Sequence, residues 1–371
     1  MSKTSRFSLL VATLDLGWGS LGKLRLILDQ LPGVRITLHG NSRIIGLTKQ
    51  FLGLRYEFEH IPQPDLALVI NDPNSANDIV HRNVPVVYVD SVPYMRRTEP
   101  EIPELEKLAC YCAQKYPVQL LSLPERLKNW PHIKWVDPIV PVPLTRRGGK
   151  GIVVSVGGLT NPLAGDAVDA YVNLVLFPLA KILQASGRTV LSICGSLNVD
   201  ICQQLRTLLP ECAVIGPQSP YAFEQMLTDA DLLITAPGST TILQALSLNL
   251  PTLLLPPQNR TQIFNARLFS KPNVDTMRWP ARILDVAIVE QLLPQARDLA
   301  RRYVYEAIVH AAASREVADE VATLIQESIT NAPAHGVLNP DLSQLGFAGA
   351  GQIAQLVKET VSATYQTAAG S

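Results

Sequence analysis

Residues 228–269 read TDADLLITAPGSTTILQALSLNLPTLLLPPQNRTQIFNARLF. Two short apolar runs, 231–235 and 251–255, flank a stretch of helical period, the pattern of parallel strands joined by a crossover helix. The first run ends in Ala236-Pro237-Gly238-Ser239-Thr240-Thr241. A glycine there lets backbone approach a ligand closely, and Ser or Thr opens the following helix, whose free N–H groups suit an anion such as phosphate. The second run delivers Pro256-Pro257-Gln258-Asn259-Arg260-Thr261-Gln262, a polar cluster at the carboxyl end of a strand, where open α/β sheets bind ligands. Two such loops side by side could hold a diphosphate and a sugar.

Outward from this stretch the same alternation runs along most of the chain. Strands are expected at 8–14, 35–39, 66–70 and 84–90, and again at 151–156, 189–194 and 213–216, with helical stretches between them. Six prolines between 117 and 150, followed by Arg146-Arg147-Gly148-Gly149-Lys150, mark an interdomain linker. The expected division is an α/β domain over 1–148, a second over 149–330, and a helical tail over 331–371. A length of 371 residues and 47% hydrophobic content suit two well-buried domains. Lys plus Arg and Asp plus Glu are equal at 32 each, so no overall field favours nucleic acid or an anionic membrane. Cys110, Cys112, Cys194, Cys202 and Cys212 are odd in number and lack metal-type spacing, and they read as reduced thiols of a cytoplasmic protein. The greasiest stretch, 167–183, is interrupted by Asp169, Asn173, Pro178 and Lys181 and reads as a buried helix, although peripheral membrane contact stays open.

The segment resembles the donor half of GT-B nucleotide-sugar glycosyltransferases, particularly the family of the peptidoglycan N-acetylglucosaminyltransferase and the diglyceride galactosyltransferases. The shared elements are Ala230-Asp231, Gly238-Ser239-Thr240, Leu250-Pro251 through Pro256, and Asn265-Ala266. The resemblance implies an α/β GT-B fold: two Rossmann-like domains facing across a cleft, with C-terminal helices. It implies transfer from a nucleotide sugar, UDP being the usual carrier, to a small-molecule acceptor, with the nucleotide sugar as co-substrate and no cofactor. Donor contacts then fall to Gly157, Gly158, Thr160, Gly195, Ser196, Gly238, Ser239, Thr240, Gln244, Gln258, Asn259 and Gln262. Gln244 stands where the family usually has a ribose-binding Glu; an amide can still bond a diol, as a weaker acceptor. Gly17-Trp18-Gly19-Ser20 together with 157–162 is similar to cytosylglucuronate synthases, in which cytosine attacks UDP-glucuronate. A nucleotide-sugar hydrolase of GT-B shape and a non-catalytic nucleotide-sugar-binding subunit share the same donor features.

Asp229-Ala230-Asp231 matches a D-x-D metal motif only superficially, because Asp229 ends a helix and Asp231 enters an apolar strand; no metal is expected. Helix dipoles and backbone amides would then stabilise the departing diphosphate. After the first strand, Gly17, Gly22 and Lys23 have the G-x-x-x-x-G-K spacing, but Leu24 replaces the magnesium-binding hydroxyl of a nucleoside-triphosphate site. In the GT-B reading this loop binds the acceptor through Gly17, Trp18, Gly19 and Ser20, with His39 and Asp90 at neighbouring strand ends. Asp15 is the titratable acid of that loop and the candidate catalytic base. It could equally cap the next helix.

Overall fold

A computed structural model describes residues 7–14, 18–53, 55–96, 103–116, 127, 130, 132–141, 145–159, 163–269, 277–292, 297–331 and 345–370. The chain forms two compact units, Met1–Val142 with Ser343–Ser371, and Pro143–Leu342. The division falls at 142/143 rather than near 148, and the 331–371 tail is not a separate body: its last part belongs to the first unit.

Unit 1 is built on β1 (Ser8–Thr13), α1 (Trp18–Leu28), β2 (Arg35–Leu38), α2 (Ser42–Leu52), β3 (Leu66–Ile70), α3 (Pro73–Val80), β4 (Val86–Asp90), β5 (Cys110–Gln114) and β6 (Ile133–Val136). All six strands pair in parallel, in the order β2-β1-β3-β4-β5-β6. Every residue of β3, β4 and β5 is buried, which explains why the β3 and β4 segments read as continuous apolar runs rather than alternating ones. The sequence did not anticipate β5, CYCAQ, which has no β-branched residue to announce it.

Unit 2 holds β7 (Ile152–Ser155), α4 (Ala167–Ala185), β8 (Val190–Cys194), α5 (Val199–Leu208), β9 (Val214–Gly216), α6 (Pro220–Asp229), β10 (Leu232–Thr235), α7 (Ser239–Ser247), β11 (Thr252–Leu254), α8 (Arg260–Phe269), α9 (Val286–Leu292), α10 (Arg297–Ala312) and α11 (Arg315–Thr330). Its sheet is also parallel, ordered β11-β10-β7-β8-β9. The apolar stretch expected as a buried helix is α4. It is long and apolar enough to cross a membrane by length and composition, yet Leu174, Leu176, Leu179 and Leu183 lie in the unit 2 core with Val304, Ile308 and Ile325. A π-turn at Val172–Leu176 precedes Pro178, whose missing N–H would otherwise leave a carbonyl of the preceding turn without its donor.

The last helix, α12 (Gly349–Gly370), returns to unit 1 and lays Ile353, Ala354, Val357 and Val361 against Leu66, Leu68, Cys112 and Val136. Its amino end sits so close to Asp137 that a Cβ at Gly349 would run into the Asp137 carbonyl. Gln352 closes the contact, accepting the Asp137 N–H at 2.7 Å and donating to its carboxylate at 3.1 Å.

Candidate functional site

In unit 2 the order of strands reverses between β7 and β10: the chain moves from β7 outward to β8 and β9, then returns to lay β10 and β11 on the other side. A crevice opens at the carboxyl ends of such a pair, where neighbouring connections leave on opposite faces. The loops after β7 and β10 are the two glycine turns at 157–158 and 236–240.

The β10 turn is tight, with Gly238 N–H donating to Ala236 O at 2.6 Å and Gly238 serving as the amino cap of α7. Its cap residue, a glycine, has no side chain to offer the amides there, in contrast to α5 and α6, which Asn198 and Ser219 cap. The first amides of α7 follow Gly238, with Ser239 and Thr240 half-buried beside them, at the place where the sequence led us to expect an anion. After β7, Gly158 takes φ +83°, a left-handed conformation that favours glycine, and Gly157 is exposed; Thr160 lies outside the described residues.

The polar cluster after β11 braces these turns. Gln262 accepts the Gln258 N–H at 2.8 Å and donates from Nε2 to Gly157 O at 3.3 Å, tying the β11 loop to the β7 loop. Asn265 donates to Pro237 O at 2.8 Å, tying α8 to the β10 loop. Tyr171 and Trp279 donate to Pro256 O and Pro257 O at 2.8 and 2.7 Å. Gln258 and Gln262 are each 5% exposed and Asn259 caps the Gln262 N–H at 3.1 Å, so the described hydrogen bonds of the expected sugar contacts run inside the protein. Gln244 is half-buried on α7. Gly195 is needed for packing: a Cβ there would lie 2.7 Å from Val156 Cγ2. Ser196 beside it is half-buried.

Asp229 and Asp231 lie at the other, amino end of β10. Asp229 accepts from Arg147 Nε at 2.5 Å and Lys150 Nζ at 2.7 Å, which holds its carboxyl below the usual range, and Asp231 accepts the N–H groups of Gly149 and Gly151 at 2.5 and 3.0 Å. The pair clasps the start of unit 2.

Unit 1 has its own strand-order reversal, between β1 and β3. Asp15 and Gly17 lie outside the described residues, as does the side chain of Trp18; Gly19 is exposed and Ser20 half-buried in the first turn of α1. Because α1 starts at Trp18, Gly22 and Lys23 lie inside the helix and Lys23 is 2% exposed, so the loop does not form the open amide cradle of a nucleoside-triphosphate site. Burial brings the Lys23 ammonium down to about 8. His39, half-buried at the end of β2, is pulled down by burial and then by Arg82, against Asp78 and Asp72.

Asp90 is not an open carboxylate. It is fully buried, accepts Tyr111 OH at 2.6 Å, Arg96 Nε at 3.0 Å and Val92 N–H at 3.0 Å, and so anchors the β4 end. Beside it, Asn71, whose loop 71–74 reads in sequence as a polar turn that could select an acceptor, takes φ 60° directly after β3. Its amide donates to Ser20 Oγ at 3.1 Å and Ser91 Oγ at 2.9 Å and accepts the Ser91 N–H at 2.8 Å. An asparagine immediately after an apolar strand is the signal that marks it.

Two parallel-sheet units with flanking helices and these loops define the GT-B fold. The family model for CGA synthase-related proteins matches residues 46–299, and the chain belongs to that family. No curated protein matches the sequence at a significant level. Among solved structures, Phytolacca americana UGT2 complexed with UDP-2-fluoro-glucose and pterostilbene superimposes with TM-score 0.50 at 11% identity, over 96% of this chain and 100% of that one. Acinetobacter baumannii MurG gives 0.45 at 14% identity, over 86% and 99%.

Proposed function

We propose that this protein transfers a glycosyl group from a nucleoside-diphosphate sugar, with UDP as carrier, to a small acceptor. The observation that carries the reading is the glycine-capped amino end of α7 beside the Gly157-Gly158 turn, at the strand-order reversal of unit 2. Those amides suit the oxygens of a diphosphate as ester and as leaving group, and their fixed dipoles stabilise the charge that grows as the anomeric C–O bond breaks. With Asp229 and Asp231 engaged by Arg147, Lys150 and backbone, the reading uses no carboxylate-held cation. The fold shared with UGT2, a structure holding UDP-2-fluoro-glucose, supports a UDP-sugar donor.

Family membership supports the finer reading, glucuronyl transfer from UDP-glucuronate to cytosine. The acceptor nitrogen gives its proton to a base as it bonds the anomeric carbon, and UDP departs. Asp15 is the assigned base.

The test is calorimetric titration of UDP and UDP-glucuronate with magnesium and with chelator, followed by product analysis with cytosine. Binding independent of magnesium, lost in G238W and spared in D15N, together with a cytosine adduct absent from D15N, is expected. Magnesium-dependent ATP binding in place of UDP would overturn the donor reading, full activity in D15N the base, and free glucuronate as sole product the transfer.

A further inference from the structure

Unit 1 carries a polar knot that the donor reading does not use. Asn71 holds a left-handed backbone at the carboxyl end of β3 and is 7% exposed, with both sides of its amide committed to Ser20 and Ser91. Ser91 is buried at 1% exposure, and its carbonyl accepts Tyr116 OH at 2.6 Å, so one end of the knot is rigid. The other end is Ser20, half-buried on α1. Because the Asn71 NH2 can only donate, the Ser20 oxygen accepts, and the Ser20 O–H is directed elsewhere.

A second hydroxyl stands at the same end of the sheet, on Thr13, whose strand partner is Ile70, the residue before Asn71. Thr13 ends β1 and follows Leu9 and Val11 on the sheet face covered by Leu24, Ile27 and Leu28 of α1. It is 4% exposed, and among the described residues its Oγ1 has no hydrogen-bond partner. A buried hydroxyl without a partner costs stability, and one placed at a strand-order reversal is explained by a ligand that completes it.

We infer that Ser20 and Thr13 form a donor pair for a hydrogen-bond-accepting group of the acceptor molecule, a ring carbonyl or ring nitrogen, and that Asn71 is the positioning residue that aims Ser20. This rests on the reading of unit 1 as the acceptor-binding unit. The ligand supplies only acceptor atoms at this point, since the Ser20 and Thr13 hydroxyls present protons to it and Asn71, its amide already committed, presents none.

The experiment measures cytosine binding by saturation-transfer NMR and UDP binding by calorimetry on the full chain, for wild type, S20A, N71D and T13V, with melting temperatures. N71D is the discriminating variant. Asp tolerates the left-handed backbone and still accepts the Ser91 N–H, but its carboxylate takes the Ser20 proton away from a ligand. Expected are cytosine affinities lowered about tenfold in each variant, the loss of one hydrogen bond, with UDP affinity within twofold of wild type. T13V melts at or above the wild-type temperature while binding cytosine less well, a combination a purely structural hydroxyl cannot give. Wild type that binds UDP but not cytosine, or N71D and T13V that bind cytosine as wild type does, overturns this inference alone. Wild type that fails to bind UDP overturns the proposed function instead.

Discussion

Lys23 shows how one residue can be misread by its motif. In sequence it completes a phosphate-binding spacing; in the fold it faces inward from the second turn of α1, buried, with its ammonium brought down to about 8 by desolvation. The folded value lies below the ordinary 10.5, so the unfolded chain binds the proton more tightly. Below pH 8 both states are protonated and the full penalty, about 3 kcal/mol, is present; as pH rises from 8 toward 10.5 it disappears and stability increases. Wild type should therefore gain stability between pH 7 and 9.5, whereas K23M, with nothing to titrate at that position, should lack this rise. Urea unfolding at pH 7, 8.5 and 9.5 measures this, and a wild-type stability flat over that window would contradict it. Above pH 10 the buried phenols of Tyr94, Tyr111 and Tyr171, whose folded values are raised, pull in the other direction.

The sequence leaves helix α12 free to pack on the second unit or to cross to the first. Its apolar positions are legible as a helix over 351–363, but nothing in them names the surface they cover. The structure puts Ile353, Ala354 and Val357, each at most 1% exposed, into the unit 1 core, and Gly346 and Gly349 permit the close approach to Asp137. I353A should cost 2–5 kcal/mol, the usual range for a fully buried aliphatic truncation. Calorimetry should place that loss in unit 1, with UDP affinity unchanged, since every donor-loop residue described belongs to unit 2. In the same way α8 is more than a connection: Gln262 and Asn265 reach from it to two other loops, so the polar run after β11 sets the shape of the glycine turns.

For the whole molecule, the division into a discontinuous unit 1 and a continuous unit 2 makes a prediction about truncation. A chain ended after Leu342 loses α12 and with it the cover over one face of the first sheet, whereas unit 2 keeps all its strands and helices. Such a chain should lose the unit 1 unfolding transition and bind UDP within about threefold of the full protein. Loss of UDP binding would show that unit 2 does not fold alone.

Parallel strands, crossover helices, two α/β units and the importance of 228–269 were legible in the sequence, because buried parallel strands demand unbroken apolar runs and strand-to-helix turns demand glycine and small hydroxyls. Those are local requirements, met within a dozen residues. The strand-order reversals, the brace from Gln262 to Gly157, the clasp of Asp229 by Arg147 and the knot of Asn71 with Ser20 and Ser91 join residues 20 to 105 positions apart. No local pattern encodes such contacts. Which polar side chain is a brace, which is an anchor and which still has a proton to offer was decided by burial and by the partners that only the tertiary fold brings within hydrogen-bonding reach.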